Sequence, residues 1–312
     1  MSTKAGPIRE ACVVVADLVA AQARLAAALG WSPDGAPTGF DAARARLWGT
    51  PSLAGAPCSA LAPPSGQGGA IRLIQRPLKP GGAAGADHRS GPGLVHRGSR
   101  GRFRRLGWSA IELQVADSSA AVRRAEAAGL RVLGQPRTIG DGGSLPIRAG
   151  QVTDDDGLVL YLTQILGEVA GFELPTVRGD TDGVFIAVLS VIDLEDARGI
   201  VERHLNTTRA SDRYSPIGVV NATLGLPPDT KHRISSQQLR GASLVEIDQL
   251  DIAHDPPDPS WDPPRTGVVA VCVQADVAAP VVWRPCAGAL LELVPGSAAP
   301  APAGLTAIET QT

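Results

Sequence analysis

Histidine and cysteine, the side chains most often used for catalysis and metal binding, are few and widely spaced in this sequence. The 312-residue chain has five histidines and four cysteines. No GxSxG motif, P-loop or dinucleotide fingerprint is present. The cysteines form no CxxC pair and no metal-knuckle spacing. Two of them, Cys12 and Cys272, lie in strand patterns and are interpreted as buried, reduced thiols.

His232 is the strongest candidate for a histidine that does chemistry, because it lies inside a predicted strand, Lys231–Ser235. An imidazole titrates near neutral pH and can carry a proton there. The alternative is an exposed histidine between two basic residues. His204 ends a predicted helix, where it suits the helix dipole, and His254 lies in a proline-rich connector.

Basic side chains are concentrated in residues 76–105, which hold seven arginines, one lysine and a single acid, Asp87. Such a stretch buries little apolar surface, so we predict a mobile linker or lid. Two interpretations remain open: a solvated linker, or a flap that meets an anionic substrate.

The elements that must position these side chains are repeated along the chain. Three stretches share the order strand, Asp, helix: Ile8–Trp31, Trp108–Leu130 and Gly183–Leu205. Each Asp is a candidate N-cap, since its carboxylate can accept a first-turn N–H. These residues are Asp17, Asp117 and Asp193. A fourth copy begins at Gly267–Asp276 without room for a helix, and such self-similarity marks a repeated structural unit.

Shorter strands are predicted after each helix. In the first unit they are Ala45–Trp48, Cys58–Leu61 and Ala70–Gln75, separated by Gly/Pro turns. The third unit carries a long insertion, Asn206–Thr230, before its last strands. Each complete unit is therefore predicted to be strand–helix–strand–strand–strand.

Composition and charge limit the class of protein. The net charge of −2 and the pI of about 6.2 give no basic field for nucleic acid. No apolar run approaches the roughly 20 residues that span a bilayer, and the first residues lack a signal-peptide core. We therefore expect a bacterial, cytoplasmic protein that acts on a small molecule, with no nucleic-acid or membrane partner. A homodimer is left open.

The repeated unit resembles the βαβββ module of the vicinal oxygen chelate superfamily, which includes glyoxalase I, extradiol dioxygenases and fosfomycin-resistance proteins. The resemblance rests on VVVADLVAAQARLAAALGW, IELQVADSSAAVRRAEAAGL, VLSVIDLEDARGIVERHL and CAGALLELV. It implies an α+β fold with tandem modules paired into two cup-shaped mixed-sheet domains. We expect an N-terminal pair in residues 1–170, a C-terminal pair in 171–297 whose truncated last module lacks its helix, and a disordered tail, 298–312.

Metal ligands in this superfamily project from the first and last strands of each module, usually as His and Glu. The corresponding first-strand positions are Glu10, Ala110, Ile186 and Val269. The corresponding last-strand positions are Arg72, Tyr161, Glu246 and Glu292. A 2-His-1-carboxylate iron site needs two imidazoles, which neither cup supplies. We therefore expect no cofactor, with a weakly held divalent metal as the alternative.

The resemblance implies that Glu246 and Glu292 face each other in the C-terminal cup. Two carboxylates in a partly apolar pocket repel, so one should keep its proton and serve in acid/base catalysis. His232, Glu246 and Glu292 are the predicted catalytic set. The alternative is that each glutamate is paired with an arginine and is only structural.

Substrate-binding positions are predicted in both cups. They are Glu10, Arg72, Arg148, Tyr161, Arg213 and Tyr214. Arg148 is suited to clamp a substrate carboxylate in bidentate fashion. Arg213 and Tyr214 lie in the insertion Asn206–Thr230, which we expect to wall or cover the C-terminal cup. The alternative for Glu10 and Arg72 is a structural ion pair in a non-catalytic cup.

The resulting hypothesis is a metal-independent lyase or isomerase that performs acid/base chemistry on a small aromatic or oxo-acid metabolite. One alternative is a metal-dependent dioxygenase or isomerase with a non-standard site made by His232, Glu246 and Glu292. Another is a non-catalytic protein that binds a small molecule in an empty cup.

Overall fold

Two eight-stranded mixed sheets form the body of the computed structural model, which describes residues 4–77, 103–139, 145–208, 212–256, 261–262 and 264–296. The predicted tail and most of the basic stretch 76–105 lie outside the described residues. Within the described ranges, no helix is long and apolar enough to cross a membrane.

The first sheet combines the first and fourth modules. Numbered along the chain, its strands are β1 (Ile8–Val15), β2 (Ser32–Pro33), β3 (Thr38–Gly39), β4 (Pro57–Ala62), β5 (Ala70–Gln75), β14 (Gly267–Ala275), β15 (Val281–Trp283) and β16 (Leu290–Pro295). Their order is β15-β16-β14-β1-β5-β4-β2, with β3 also paired to β4. The modules join where β1 runs antiparallel to β14, with Glu10 opposite Cys272.

The second sheet combines the second and third modules. Its strands are β6 (Gly107–Val115), β7 (Arg131–Thr138), β8 (Ile147–Thr153), β9 (Val159–Ile165), β10 (Thr181–Val191), β11 (Arg213–Pro216), β12 (Lys231–Gln238) and β13 (Leu244–Gln249). Their order is β11-β12-β13-β10-β6-β9-β8-β7. The modules join where β6 runs antiparallel to β10.

The predicted fold of paired βαβββ modules in curled mixed sheets is confirmed, but the predicted choice of partners is wrong. Residues 1–170 and 171–297 do not each form a pair, because β1 of the first module joins β14 of the fourth. Local patterns define each module, whereas the pairing of modules is decided by long-range contacts between apolar first strands of similar sequence.

Helices occupy the predicted places after the first strands of three modules. They are α1 (Leu18–Leu29), α3 (Ser118–Ala127) and α4 (Leu194–Leu205), and two short helices are α2 (Ala42–Leu47) and α5 (Gly218–Leu224). Asp17 accepts from the Ala20 N–H, and Asp117 and Asp193 cap their helices in the same way. In the fourth module, residues 276–280 join β14 to β15 without a helix, as predicted.

The predicted strand Ala45–Trp48 is wrong, since these residues belong to α2 and its C-terminal cap. Asp41 caps the helix by accepting the Arg44 N–H at 2.6 Å. Ala45 and Trp48 are both buried, and their spacing of three places them on one helical face. The run was too short for its period to distinguish helix from strand.

The main hydrophobic core lies between the two sheets. It takes alternate residues of β1 and β6, such as Val13 and Ile111, together with the buried faces of α1, α3 and α4. The opposite face of each sheet carries a smaller core. One contains Cys12 and packs against Trp48, and the other contains Val188 and packs against Val219. The two concave faces, called the first cup and the second cup after their sheets, therefore point away from each other.

The sheets also touch through their backbones. Gly69 forms an isolated antiparallel bridge with Val184, and the N–H of Gly183 donates to the carbonyl of Gln67. A Cβ on Gly183 would lie 2.5 Å from the Gly69 carbonyl oxygen, so only glycine fits at this crossing.

The N-caps give a direct test of the repeat. Asp17→Ala should lower the free energy of unfolding by about 1 kcal/mol, because the first turn of α1 loses an acceptor. Urea denaturation followed by circular dichroism measures the loss. The matched control is Asp276→Ala, since this exposed aspartate ends the corresponding strand but precedes no helix. An equal loss in both variants would contradict the capping role.

Candidate functional site

An arginine fills the centre of the first cup. Arg44 reaches in from α2, and its Nη1 lies 2.9 Å from an oxygen of Glu10 on β1. Its Nε and Nη2 both donate to Oε2 of Glu292 on β16, at 2.9 and 2.7 Å. The guanidinium therefore bridges two carboxylates that belong to the first and fourth modules.

The other members of this Arg44 cluster complete the shell around the guanidinium. They are Cys12, Cys272, Arg72 and Trp48. Arg72 donates to Glu10 at 2.6 Å, and the Trp48 indole N–H donates to Glu292 at 3.2 Å. The carbon Cζ of Arg44 also lies 4.9 Å from the Trp48 ring, at a cation–π distance. The predicted Glu10–Arg72 contact is thus present, as one edge of a larger network.

The two arginines keep the Glu10 carboxylate ionised. Burial disfavours the charge of Glu10, but Arg44 and Arg72 outweigh burial and hold its pKa below the ordinary value. Burial raises the pKa of the Cys12 and Cys272 thiols, which stay protonated at neutral pH. With two carboxylates and two guanidinium groups, the cluster is close to neutral.

The second cup holds a different group of polar side chains, the Glu112 cluster. Its members are Glu112 on β6, Tyr161 on β9, Glu246 and Asp248 on β13, and Arg213 on β11. Glu112 is buried and accepts the Thr163 hydroxyl at 2.8 Å. Arg213 donates to Glu246 at 2.9 Å and to the Ser236 hydroxyl at 3.1 Å. Three carboxyl groups therefore share one guanidinium.

This shortage of positive charge raises the pKa of two of the carboxyl groups. Burial, and then repulsion by Glu246, raises the pKa of Glu112 to about 8. Burial and Glu246 also raise the pKa of Asp248 well above its ordinary value. Glu112 is therefore a protonated acid at neutral pH, in a cluster where Arg213 binds the neighbouring Glu246.

The described part of the insertion 206–230 walls the second cup, which joins the third module to the second and is not the predicted C-terminal cup of the third and fourth modules. Its helix α5 packs Val219 and Val220 against Ala110 and Val188 on the sheet. It also supplies Arg213 through β11, which pairs with β12. Asp212 binds Arg198 and Arg233, and these ion pairs anchor the strand that carries Arg213.

Three buried polar atoms on the third-module strands have no hydrogen-bond partner within the described part of the chain. They are Oγ of Ser190, Oδ1 of Asp248 and Nδ1 of His232. His232 Nε2 lies 2.8 Å from the side-chain oxygen of Asn221 on α5. Burial lowers the pKa of His232, which favours its neutral form. Buried polar atoms of this kind require water or a ligand atom.

The predicted catalytic set does not converge. Glu246 faces the second cup and Glu292 faces the first, on opposite sides of the main core. The expectation that they face each other is wrong, because it assumed that the third module pairs with the fourth. The same fact rules out a metal site that combines these two glutamates. His232 shares a strand face with Ser236, which is next to Glu246.

The predicted substrate-binding residues are divided among four surroundings. Arg148 contacts the Ser119 hydroxyl on α3, so its side chain lies on the helix-covered face and outside both cups, contrary to prediction. Tyr214 is 63% exposed and also lies away from the Glu112 cluster. Tyr161 and Arg213 belong to that cluster, whereas Glu10 and Arg72 belong to the Arg44 cluster.

Sequence reasoning missed Glu112 and Arg44. The first-strand position of the second module was assigned to Ala110, and Glu112 is two residues further along the same strand face. A buried acid inside the apolar run of β6 was the available signal. Arg44 was missed because its segment was predicted as a strand, and nothing local indicates that a side chain of α2 reaches β16.

The divalent metal of the superfamily fits neither cup. Among the described residues, three ligand atoms come within 4.8 Å of one another only at Glu10, Cys12 and Cys272. Arg44, itself a cation, binds Glu10 and contacts both sulfurs there. The three carboxylates of the second cup do not meet the same distance limit.

A cavity of about 90 Å³ lies away from both clusters, between the start of β6 and the start of β14. Its walls include Trp108, Trp261 and Arg105. The described residues that line this cavity belong to neither cluster. The candidate site is therefore the Glu112 cluster of the second cup, where three carboxyl groups lie near one guanidinium.

Comparison with known proteins agrees with the fold. No protein-family profile and no curated protein sequence matches the chain. Glyoxalase I from Zea mays is similar in structure, with a TM-score of 0.54 and 13% sequence identity, over 94% of this chain and 93% of that one. A putative dioxygenase from Bacillus subtilis gives a TM-score of 0.54 and 14% identity, over 95% and 87% of the two chains. The chain therefore has the fold of glyoxalase I and the vicinal oxygen chelate superfamily.

Proposed function

We propose that the second cup catalyses metal-independent proton transfer, an isomerase or lyase step, on a small anionic substrate such as an oxo acid. The observation that carries the proposal is the convergence of Glu112, Glu246 and Asp248 on one half-exposed guanidinium, that of Arg213. The fold is one used by enzymes, but the reaction is inferred from this cluster and not from the fold.

The raised pKa of Glu112 keeps a proton on it at neutral pH, which a general acid requires, and Glu246 beside it is the proposed base. Glu246 is the base and removes a proton from the carbon next to the substrate carbonyl group. Glu112 is the acid and gives its proton to the carbonyl oxygen, so that an enol forms. In an isomerisation, Glu246 returns the proton to a different carbon of the conjugated enol while the enol O–H proton goes back to Glu112. In an elimination, the leaving group departs from the neighbouring carbon with its bonding electrons and takes the proton from Glu246, and the enol O–H proton again goes back to Glu112.

Arg213 provides the binding group for the substrate anion. Its side chain is 44% exposed, and two of its contacts are to Glu246 and Ser236. A guanidinium has five N–H donors, so these contacts leave donors for a substrate carboxylate. The apolar wall of Val188, Val219 and Tyr161 suits the rest of a small oxo acid or aromatic acid.

The protonated state of Glu112 can be tested through stability. Between its ordinary pKa of 4.5 and its value of about 8 in the folded chain, the folded state keeps a proton that the unfolded state releases. Folding stability should therefore fall as pH rises through this range. Glu112→Gln removes this pH dependence. The free energy of unfolding of the variant minus that of wild type should therefore rise between about pH 5 and about pH 8, by an amount on the order of 1 kcal/mol per pH unit.

Urea unfolding at a series of pH values measures this difference. The control is Glu168→Gln, which makes the same substitution at an exposed glutamate outside the Glu112 cluster. A difference for Glu112→Gln that stays constant with pH would mean that Glu112 is ionised in the folded protein.

Proton transfer is tested by hydrogen–deuterium exchange. Wild-type protein in D₂O should exchange the acidic C–H of a suitable 2-oxo acid, with pyruvate and phenylpyruvate as first probes, followed by proton NMR. Glu112→Gln and Glu246→Gln should each slow exchange by about a hundredfold or more. The wild-type rate should fall above about pH 8, where Glu112 loses its proton.

The matched control for exchange is again Glu168→Gln, which should exchange at the wild-type rate. Saturable binding of the probe without exchange would indicate a binding protein. Full exchange by Glu112→Gln would remove Glu112 from the mechanism.

The role of Arg213 is tested by affinity. Arg213→Gln should weaken binding of the anionic probe by about tenfold or more, because a charge-assisted hydrogen bond is lost. Calorimetric titration measures the change, with the exposed Arg203→Gln as the control. Equal affinities for wild type and Arg213→Gln would place the anion elsewhere.

A further inference from the structure

We propose that Arg44 is a built-in replacement for a divalent metal in the first cup, and that it closes a latent site made by Glu10, Cys12 and Cys272 with Glu292 beside it. The first cup thus carries a permanent internal cation. Its removal would convert a closed structural centre into a metal-binding one. This inference concerns the first cup and is independent of the chemistry proposed for the second.

The position of the guanidinium supports this assignment. Its three nitrogens contact Glu10 at 2.9 Å and Glu292 at 2.7 and 2.9 Å, so they bind the carboxylates of both modules at once. One of these nitrogens also contacts the sulfurs of Cys12 and Cys272. Arg44 thus resembles a bound metal ion in one respect: it is a positive charge held by side chains of both modules of the cup.

The residues around Arg44 have the chemistry and spacing of a metal site. The sulfurs of Cys12 and Cys272 are 3.9 Å apart. Two thiolates on one tetrahedral Zn²⁺, each at about 2.3 Å, are separated by about 3.8 Å. Each sulfur also lies 3.2 Å from a carboxylate oxygen, Cys12 from Glu10 and Cys272 from Glu292. Glu10, Cys12 and Cys272 would supply three ligands within 4.8 Å of one another, and the Glu292 carboxylate lies beside them, next to Cys272.

Charge explains why the cup stays closed in the native chain. Arg44 and Arg72 neutralise Glu10 and Glu292, so a divalent ion would have to displace a guanidinium that is held by several hydrogen bonds. Binding would also release the two thiol protons, since a metal takes the thiolate form. In Arg44→Ala the guanidinium is gone, and the two buried carboxylates lack their shared partner.

Cobalt titration tests the proposal on the full-length protein. Arg44→Ala should bind one Co²⁺ per chain and show the near-ultraviolet absorption of thiolate-to-cobalt charge transfer, whereas wild type should show neither. Arg44→Leu, which keeps an apolar stem beside Trp48, is a second version of the same test. Replacing Cys12 and Cys272 by serine in the Arg44→Ala background should abolish the thiolate absorption.

Arg72→Ala is the matched control, because it removes the other arginine on Glu10 and leaves Arg44 in the centre. This variant should bind no Co²⁺ with thiolate absorption. Circular dichroism with and without Co²⁺ follows the fold, and recovery of the fold on adding Co²⁺ supports the proposal. The proposal is overturned if wild type binds Co²⁺ as well as the Arg44 variants do. It is also overturned if neither Arg44 variant binds Co²⁺, whether the variant is folded or is unfolded and stays so when Co²⁺ is added.

Discussion

A carboxylate that is removed from water needs either a positive partner or a proton, and this constraint governs both cups. Glu292 is almost fully buried and is held by Arg44 and the Trp48 indole. Glu112 is buried to a similar degree without a guanidinium of its own, and its pKa rises to about 8. An unpaired buried charge would cost several kcal/mol. Glu292 is therefore paired with a guanidinium, and Glu112, which has none of its own, keeps its proton.

The same module positions thus give two different sites. In the first cup, a side chain from a short helix neutralises the acids and leaves a rigid, nearly neutral centre. In the second cup, the insertion supplies Arg213 from the side and leaves three carboxyl groups with one partner. The proton that Glu112 retains is exchangeable, whereas the guanidinium of Arg44 is covalently part of the chain. The second cup is therefore the one for which we propose chemistry.

Much of this fold could be predicted from local sequence, because its signals are local. The aspartate caps, the three helices that follow them and the missing helix of the fourth module depend on a few neighbouring residues. All eight ligand positions inferred from the resemblance face a cup: the polar ones make the contacts of the two clusters, and Ala110, Ile186 and Val269 belong to the smaller cores of the cups. The sequence could not predict which modules pair. Their first strands, β1, β6, β10 and β14, are all apolar and could pair with one another in several ways. The error about Glu246 and Glu292 follows directly from that ambiguity.

The first sheet contains strands from both ends of the described chain, so the two sheets become complete at different times during translation. The second sheet uses the continuous stretch from β6 to β13, so all of its strands have left the ribosome while the fourth module is still being synthesised. The first sheet cannot close until β14 arrives, and its sulfurs on Cys12 and Cys272 are separated by 260 positions in the chain. Until then β1 remains an open edge, which is a hazard for aggregation. The centre around Arg44 therefore cannot be completed before β16, which carries Glu292, has been synthesised.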